Sequence, residues 1–198
     1  MIERLKQMTS RIDAEYFDIR YETKRVEQVI MSKNEIRICG SNIGDGYVLR
    51  VLKNGGLATV CFTKPEQADT AIKRALENAA ILAEYGSSPK KIAAAPQVKA
   101  QVKAKLVVDP RTISMDEKIA LVRHYSQLLL KQPRIANADL GYYDVTRDKY
   151  FLNSEGTEIN EELITTKLGA AVISQEGTLT QTVDRKSTRL NSSHGKLY

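Results

Sequence analysis

The chain has 198 residues, 42 % of them hydrophobic, with nine Tyr, three Phe and no Trp. That composition suits one large domain or one and a half small ones and excludes a disordered chain. Net charge is +6, but four of those charges lie in the last fourteen residues, RKSTRLNSSHGKLY, which leaves +2 across the first 184; so balanced a body, without a dense basic stripe, predicts no nucleic-acid partner.

The N-terminus reads MIERLKQMTSRIDAEYFDIRY. It lacks the apolar core and small-residue cleavage site of a signal peptide. No apolar run approaches the roughly 18 residues of a spanning helix. A cytoplasmic chain without a membrane partner is expected. Met1, Leu5 and Met8, with Ile12 one step on, predict a first helix over about Ile2 to Ile12. Period two follows: Phe17, Ile19 and Tyr21 alternate with Asp18, Arg20 and Glu22 in a half-buried strand. Lys33-Asn34 marks a turn into a second strand carrying Ile36 and Ile38. Gly40 to Gly46 reads as a flexible loop, and Tyr47 to Leu52 as a third strand. Asn54-Gly55 signals a tight hairpin, because both residues tolerate positive φ, and Leu57 to Phe62 returns.

Thr63-Lys64-Pro65-Glu66 opens a helix, with Thr63 and Glu66 as reciprocal caps and Pro65 in the first turn. Ala68, Ile72, Ala75, Leu76, Ala79 and Leu82 form its stripe, and the alanines allow close approach to a sheet. Gly86 is the expected stop. Residues 87–101 read as a linker, and Val102 to Val108 as a short strand. Ser114-Met115-Asp116-Glu117 repeats the capping pattern; its helix presents Met115, Ile119, Val122, Leu129 and Leu128 before Pro133 closes it. From Ala136 to Val183 the pattern is strands, with turns at Glu155-Gly156 and Glu176-Gly177. Thr157 to about Ile173 favours a long strand, against a competing helix over Asn160 to Lys167.

The element order contains no alternating strand–helix series, so an α+β fold is expected: antiparallel-rich sheets, two or three packing helices and an incomplete C-terminal part. The expected division is an N-terminal α+β domain over 1–86, a linker over 87–101, the start of a β-rich region over 102–184, and a disordered or artefactual tail over 185–198.

The residues that could carry chemistry do not assemble into a site on sequence grounds. Gly40, Gly44 and Gly46 run into a strand rather than a helix N-terminus, so they make no phosphate loop. Cys39 and Cys61 lie in apolar strand-like segments and are expected as buried small hydrophobes. His124 has no His or Glu on the adjacent helical turns, and His194 belongs to the basic tail. Glu161 and Glu162 are neighbours and cannot share a face. No catalytic, cofactor-binding or metal residue is therefore assigned.

Three stretches carry a resemblance. Arg20-Tyr21-Glu22, the run from Ile43 to Gly55 with Gly46, Arg50 and Gly55, and the turn Phe151-Leu152-Asn153-Ser154-Glu155-Gly156-Thr157 are similar to the modulator-of-DNA-gyrase family, the TldD/PmbA metallopeptidases. The resemblance covers residues 1 to about 184. It implies a zinc-dependent peptidase of unstructured peptides, in which a zinc-bound water attacks the scissile carbonyl. It also implies an identical or related subunit as partner. The family's H-E-x-x-x-H metal helix and its later cysteine ligand have no counterpart here, so this stretch is expected to be non-catalytic, with zinc belonging to the full-length protein. The alternative is a protein-binding or regulatory module without activity, acting on a topoisomerase or a toxin–antitoxin partner.

Overall fold

In a computed structural model, residues 1–86 and 88–190 are described, the last five of these as backbone alone. The elements are α1 (Ile2–Thr9), β1 (Tyr16–Ser32), β2 (Glu35–Lys53), β3 (Gly56–Phe62), a 3-10 turn (Pro65–Gln67), α2 (Ala68–Tyr85), β4 (Lys99–Val102), a second 3-10 turn (Pro110–Thr112), α3 (Met115–Leu130), β5 (Ile135–Asn153), β6 (Glu158–Glu176) and β7 (Leu179–Leu190). Strand order is β3-β2-β1-β5-β6-β4, with β7 also on β6. β2–β3 and β6–β7 are antiparallel, and β4–β6 is parallel. This is the expected α+β class, with a mostly antiparallel sheet and three helices.

Two-residue turns set the hairpins. Lys33 and Asn34 have φ of 50° and 64°, and Asn54 and Gly55 have 52° and 79°. Positive φ at both central residues matches the twist of the flanking strands. The second turn fixes the register from Lys53↔Gly56 to Tyr47↔Phe62.

The chain groups into two compact units, each assembled from three stretches. They cross the linear boundaries expected at 86 and 102. Unit 1 comprises Met1–Thr23, Gly44–Lys103 and Arg147–Glu162. Its core joins Leu5 of α1, Ile19, Leu49 and Val51 of the strands, Ala71 and Ala75 of α2, and Leu152. Small alanines let α2 lie flat on β3. Unit 2 comprises Lys24–Ile43, Ala104–Thr146 and the chain from Leu163 onward. Its core joins Val29, Met31, Val122, Ala138, Leu140 and Tyr142.

Several local expectations are corrected. Gly40 to Gly46 is not a loop but part of the 19-residue β2, so the four strands read over 15–62 are three. The neighbouring β1 runs alongside and supplies the hydrogen bonds that keep a glycine-rich stretch extended. The first helix ends at Thr9 rather than near Ile12. Thr63 and Glu66 do not cap α2. Pro65 opens a 3-10 turn ahead of the α-helix, and the Gln67 side chain closes that turn, accepting from the Thr63 and Lys64 N–H groups at 3.3 and 3.0 Å, while α2 itself starts without a side-chain cap. The strand expected at Val102 to Val108 lies earlier, at Lys99–Val102, where β6 offers a parallel partner; Val107 and Val108 are exposed. The α3 capping box forms as read, with Ser114 Oγ accepting from Glu117 N–H and Glu117 Oε2 from Ser114 N–H.

The tail also differs. β7 continues to Leu190, pairing Arg185↔Ala170 through Leu190↔Thr165 along β6. Backbone pairing needs no apolar side-chain period, which is why composition hid it. The expectation for 191–198 lies outside the described residues.

Candidate functional site

The residues singled out in the sequence do not converge. Cys39 and Cys61 are exposed, not buried. In β3 the buried residues alternate as Gly56, Ala58 and Phe62, which turns Cys61 to the open face. Cys39 lies in the exposed first half of β2. His124 stacks edge-on with Tyr125 on α3. His194 lies outside the described residues. Among the described residues, no three His, Cys, Asp or Glu side chains gather as a metal would require. The described residues therefore do not fit a zinc ion.

The signature residues turn out to be architectural, all within unit 1. Arg50 donates from Nε and Nη2 to Asp18 Oδ2 at 2.7 and 2.5 Å. Asp18 is fully buried. This carboxylate pushes the guanidinium pKa up. Gly55, at φ 79°, accepts from Lys90 N–H at 2.7 Å and lies directly against Pro89, so a side chain there meets both backbone strain and the 88–98 segment. The Asn153-to-Thr157 turn is fully used. Asn153 Oδ1 accepts from Thr157 N–H at 2.8 Å, and Ser154 exchanges two bonds with the Phe17 backbone. Thr157 Oγ1 accepts from Val98 N–H, and Gly156 O accepts from Gln97. The motif ties β5, β1 and the entry to β4 together. Replacing Arg50 with Met is expected to destabilise the chain by about 2 kcal/mol, because it leaves the buried Asp18 carboxylate with the longer Arg20 contact, at 3.5 Å, as its only cationic partner among the described residues, while the half-open site admits water. A urea titration checks this, and an unchanged midpoint contradicts it.

Unit 1 also holds an open cleft of mixed polar and apolar lining, about 530 Å³, beside β4. Glu3, Lys99, Gln101, Tyr150, Glu158 and Asn160 line it. Glu158 is clamped between Lys6 at 2.9 Å and Lys99 at 3.1 Å. The Lys6 hydrogen bond, then that of Lys99, holds the Glu158 carboxyl below its usual range. β4 closes the strand order, so its outer backbone edge has no strand partner among the described residues.

Unit 2 contains a buried ionic cluster. Lys118, 1 % exposed, places Nζ 2.5 Å from Glu27 and 2.8 Å from Asp144. Asp144 also accepts from Tyr142 Oη at 2.8 Å and Thr166 Oγ1 at 2.7 Å. Arg25 supports Glu27 at 2.5 Å. Burial pulls the Lys118 ammonium pKa down, but the two carboxylates outweigh it and the net shift is upward. Lys118 in turn lowers the Glu27 carboxyl. Burial and Asp144 push the Tyr142 phenol well up. The enclosed space at this cluster is about 10 Å³, about one water. The arrangement is closed to substrates. Sequence reasoning missed it, although Lys118 falls three residues after Met115 and four before Val122, on the apolar stripe itself.

Comparison with known proteins agrees with the architecture. The profile of PmbA/TldA metallopeptidase domain 1 matches residues 17–83, and that of the PmbA/TldA central domain matches 108–194. A metalloprotease of Synechocystis, slr0863, is 25 % identical over 185 residues, 93 % of this chain. The chain spans 39 % of that relative's length. The fold matches a proposed modulator of DNA gyrase from Bacteroides thetaiotaomicron, with a TM-score of 0.79 and 16 % identity, covering 96 % of this chain and 44 % of that one. It likewise matches a proposed gyrase modulator from Thermotoga maritima (0.78, 13 %, 94 % and 42 %) and TldE from Thermococcus kodakarensis (0.70, 20 %, 95 % and 42 %). With two domain profiles matching residues 17–83 and 108–194, most of its length, the chain belongs to the PmbA/TldA metallopeptidase family.

Proposed function

We propose that these residues form a non-catalytic portion of a cytoplasmic zinc-dependent peptidase that hydrolyses unstructured peptides. The carrying observation is the pairing of two metallopeptidase domain matches with the lack of a convergent ligand set among the described residues. Zinc belongs to the parent protein and not to these side chains. The contribution of this chain is to hold substrate and to contact an identical or related subunit. The unpartnered edge of β4 and the cleft beside it suit an extended peptide of varied sequence. Backbone bonding to a sheet edge does not depend on side-chain identity. Lys99 and Glu158 offer both charges to a peptide's polar groups.

The chain, stripped with chelator and reloaded, is expected to retain no stoichiometric zinc by atomic absorption and to leave casein-like substrates intact. Stoichiometric zinc contradicts the non-catalytic assignment. Hydrogen exchange over residues 99–102 is expected to slow when a casein-like peptide is added. Unchanged exchange there, with peptide bound, removes the β4 cleft from the reading.

A further inference from the structure

The first half of β2 is an exposed sheet edge in which isoleucines alternate with charged and polar residues. β3 covers β2 only from Tyr47 to Lys53. Ahead of that, among the described residues, β2 has β1 on one side and no strand on the other. Within unit 2 this edge carries Ile36, Ile38 and Ile43, exposed by 40, 45 and 60 %. Natural edges are normally blunted by lysine, proline, a covering element or brevity. Residues 35–43, Glu-Ile-Arg-Ile-Cys-Gly-Ser-Asn-Ile, contain neither lysine nor proline.

We propose that this edge of β2 pairs antiparallel with the same edge of a second copy of the chain, across a two-fold axis at Ile36. The inference rests on the subunit partner stated above and assigns its surface.

Hairpin geometry and charge set the register. The two-residue turn at Lys33-Asn34 makes Ser32 and Glu35 its closing hydrogen-bonded pair. The backbone groups of Glu35 and Arg37 therefore face β1, and those of Ile36 and Ile38 face outward. An axis at Ile36 lets the two Ile36 residues exchange both N–H···O bonds. It also places Glu35 opposite Arg37 of the second copy, twice, as close non-hydrogen-bonded pairs. Glu35 and Arg37 already lie on one face, 3.3 Å apart within the strand. An axis at Arg37 sets like charges against each other. An axis at Ile38 leaves Arg37 opposite Cys39 with no carboxylate. The Ile36 register alone matches both charges, and an isologous contact of this kind closes at two copies.

The test is sedimentation velocity of the full chain over a concentration series, with circular dichroism to confirm the fold of each variant. The wild-type chain is expected to form a dimer. Arg37→Glu sets Glu35 against a carboxylate twice and is expected to weaken the dimer about tenfold, which corresponds to about 1.4 kcal/mol. The double variant Glu35→Arg/Arg37→Glu is expected to restore it, an outcome that loss of fold does not produce. A dimer equally strong in all variants overturns the β2 surface and leaves the subunit reading standing. Weakening without rescue overturns the Ile36 register. A wild-type chain that stays monomeric throughout overturns the homotypic contact and leaves only a related subunit as partner.

Discussion

Replacing Lys118 with methionine is expected to destabilise the chain by about 3–5 kcal/mol. Methionine fills similar space but removes the cation that, alone among the described residues, touches both Glu27 and Asp144. Asp144 keeps its bonds from Tyr142 and Thr166, and Glu27 keeps Arg25. Hydrogen bonds alone do not neutralise a buried carboxylate, so the main loss falls at Asp144, where no other cation among the described residues is in contact. The triple variant Lys118→Met/Glu27→Gln/Asp144→Asn removes the charges together and is expected to recover most of the stability, since breaking an ion pair costs more than deleting it. Urea unfolding of the two variants is the measurement. Equal losses in both contradict the account and make Lys118 a packing residue.

The same cluster predicts a pH profile. The folded Glu27 carboxyl titrates below its ordinary value of 4.5. Its contribution is therefore present above pH 4.5 and lost as pH falls through the lower folded value. The folded Lys118 titrates above 10.5. Its contribution is full below 10.5 and lost as pH rises through the raised value. The Tyr142 phenol titrates above 10.0, so its neutral form stabilises the fold below pH 10.0 and that support fades above. Stability is expected to plateau between these limbs, and Lys118→Met is expected to shrink the acid limb of Glu27 to the part that Arg25 maintains.

What was legible in the sequence was local. Asn54-Gly55 and Lys33-Asn34 announced their turns because positive φ is chemically selective. Ser114 and Glu117 announced α3 because a capping box needs only four adjacent residues. The strand over Glu158–Glu176 was legible from its β-branched content despite good helix formers at Glu161 and Glu162. What was not legible depended on distant partners. Gly40 to Gly46 is extended because β1 lies beside it. The β4 position depends on β6, 59 residues away at the Lys99↔Glu158 pair. Lys118 reads as polar surface until strands carrying Glu27 and Asp144 are brought to it. The cleft beside β4 draws on four separate elements, so no local pattern contains it.

Gly56→Ala is expected to cost about 3 kcal/mol or more, although it adds one methyl group. A Cβ at Gly56 would overlap the carbonyl of Ala79 and the N–H of Ala83, both backbone atoms of α2. A flexible side chain moves aside at small cost, but a helix backbone moves only as a body. Ala75 and Ala79, both fully buried, are small for the same reason: they bring α2 backbone to backbone against β3. Moving α2 outward would open gaps around Leu49, Val51 and Phe62 in the unit 1 core and lose their dispersion contacts. Circular dichroism melts of Gly56→Ala and Ala79→Leu should therefore fall together. Their double variant should lose less than the sum of the two, because one outward shift of α2 relieves both overlaps. Additive losses would show that the two residues meet separate obstacles, and a wild-type melt for Gly56→Ala would place α2 farther from β3.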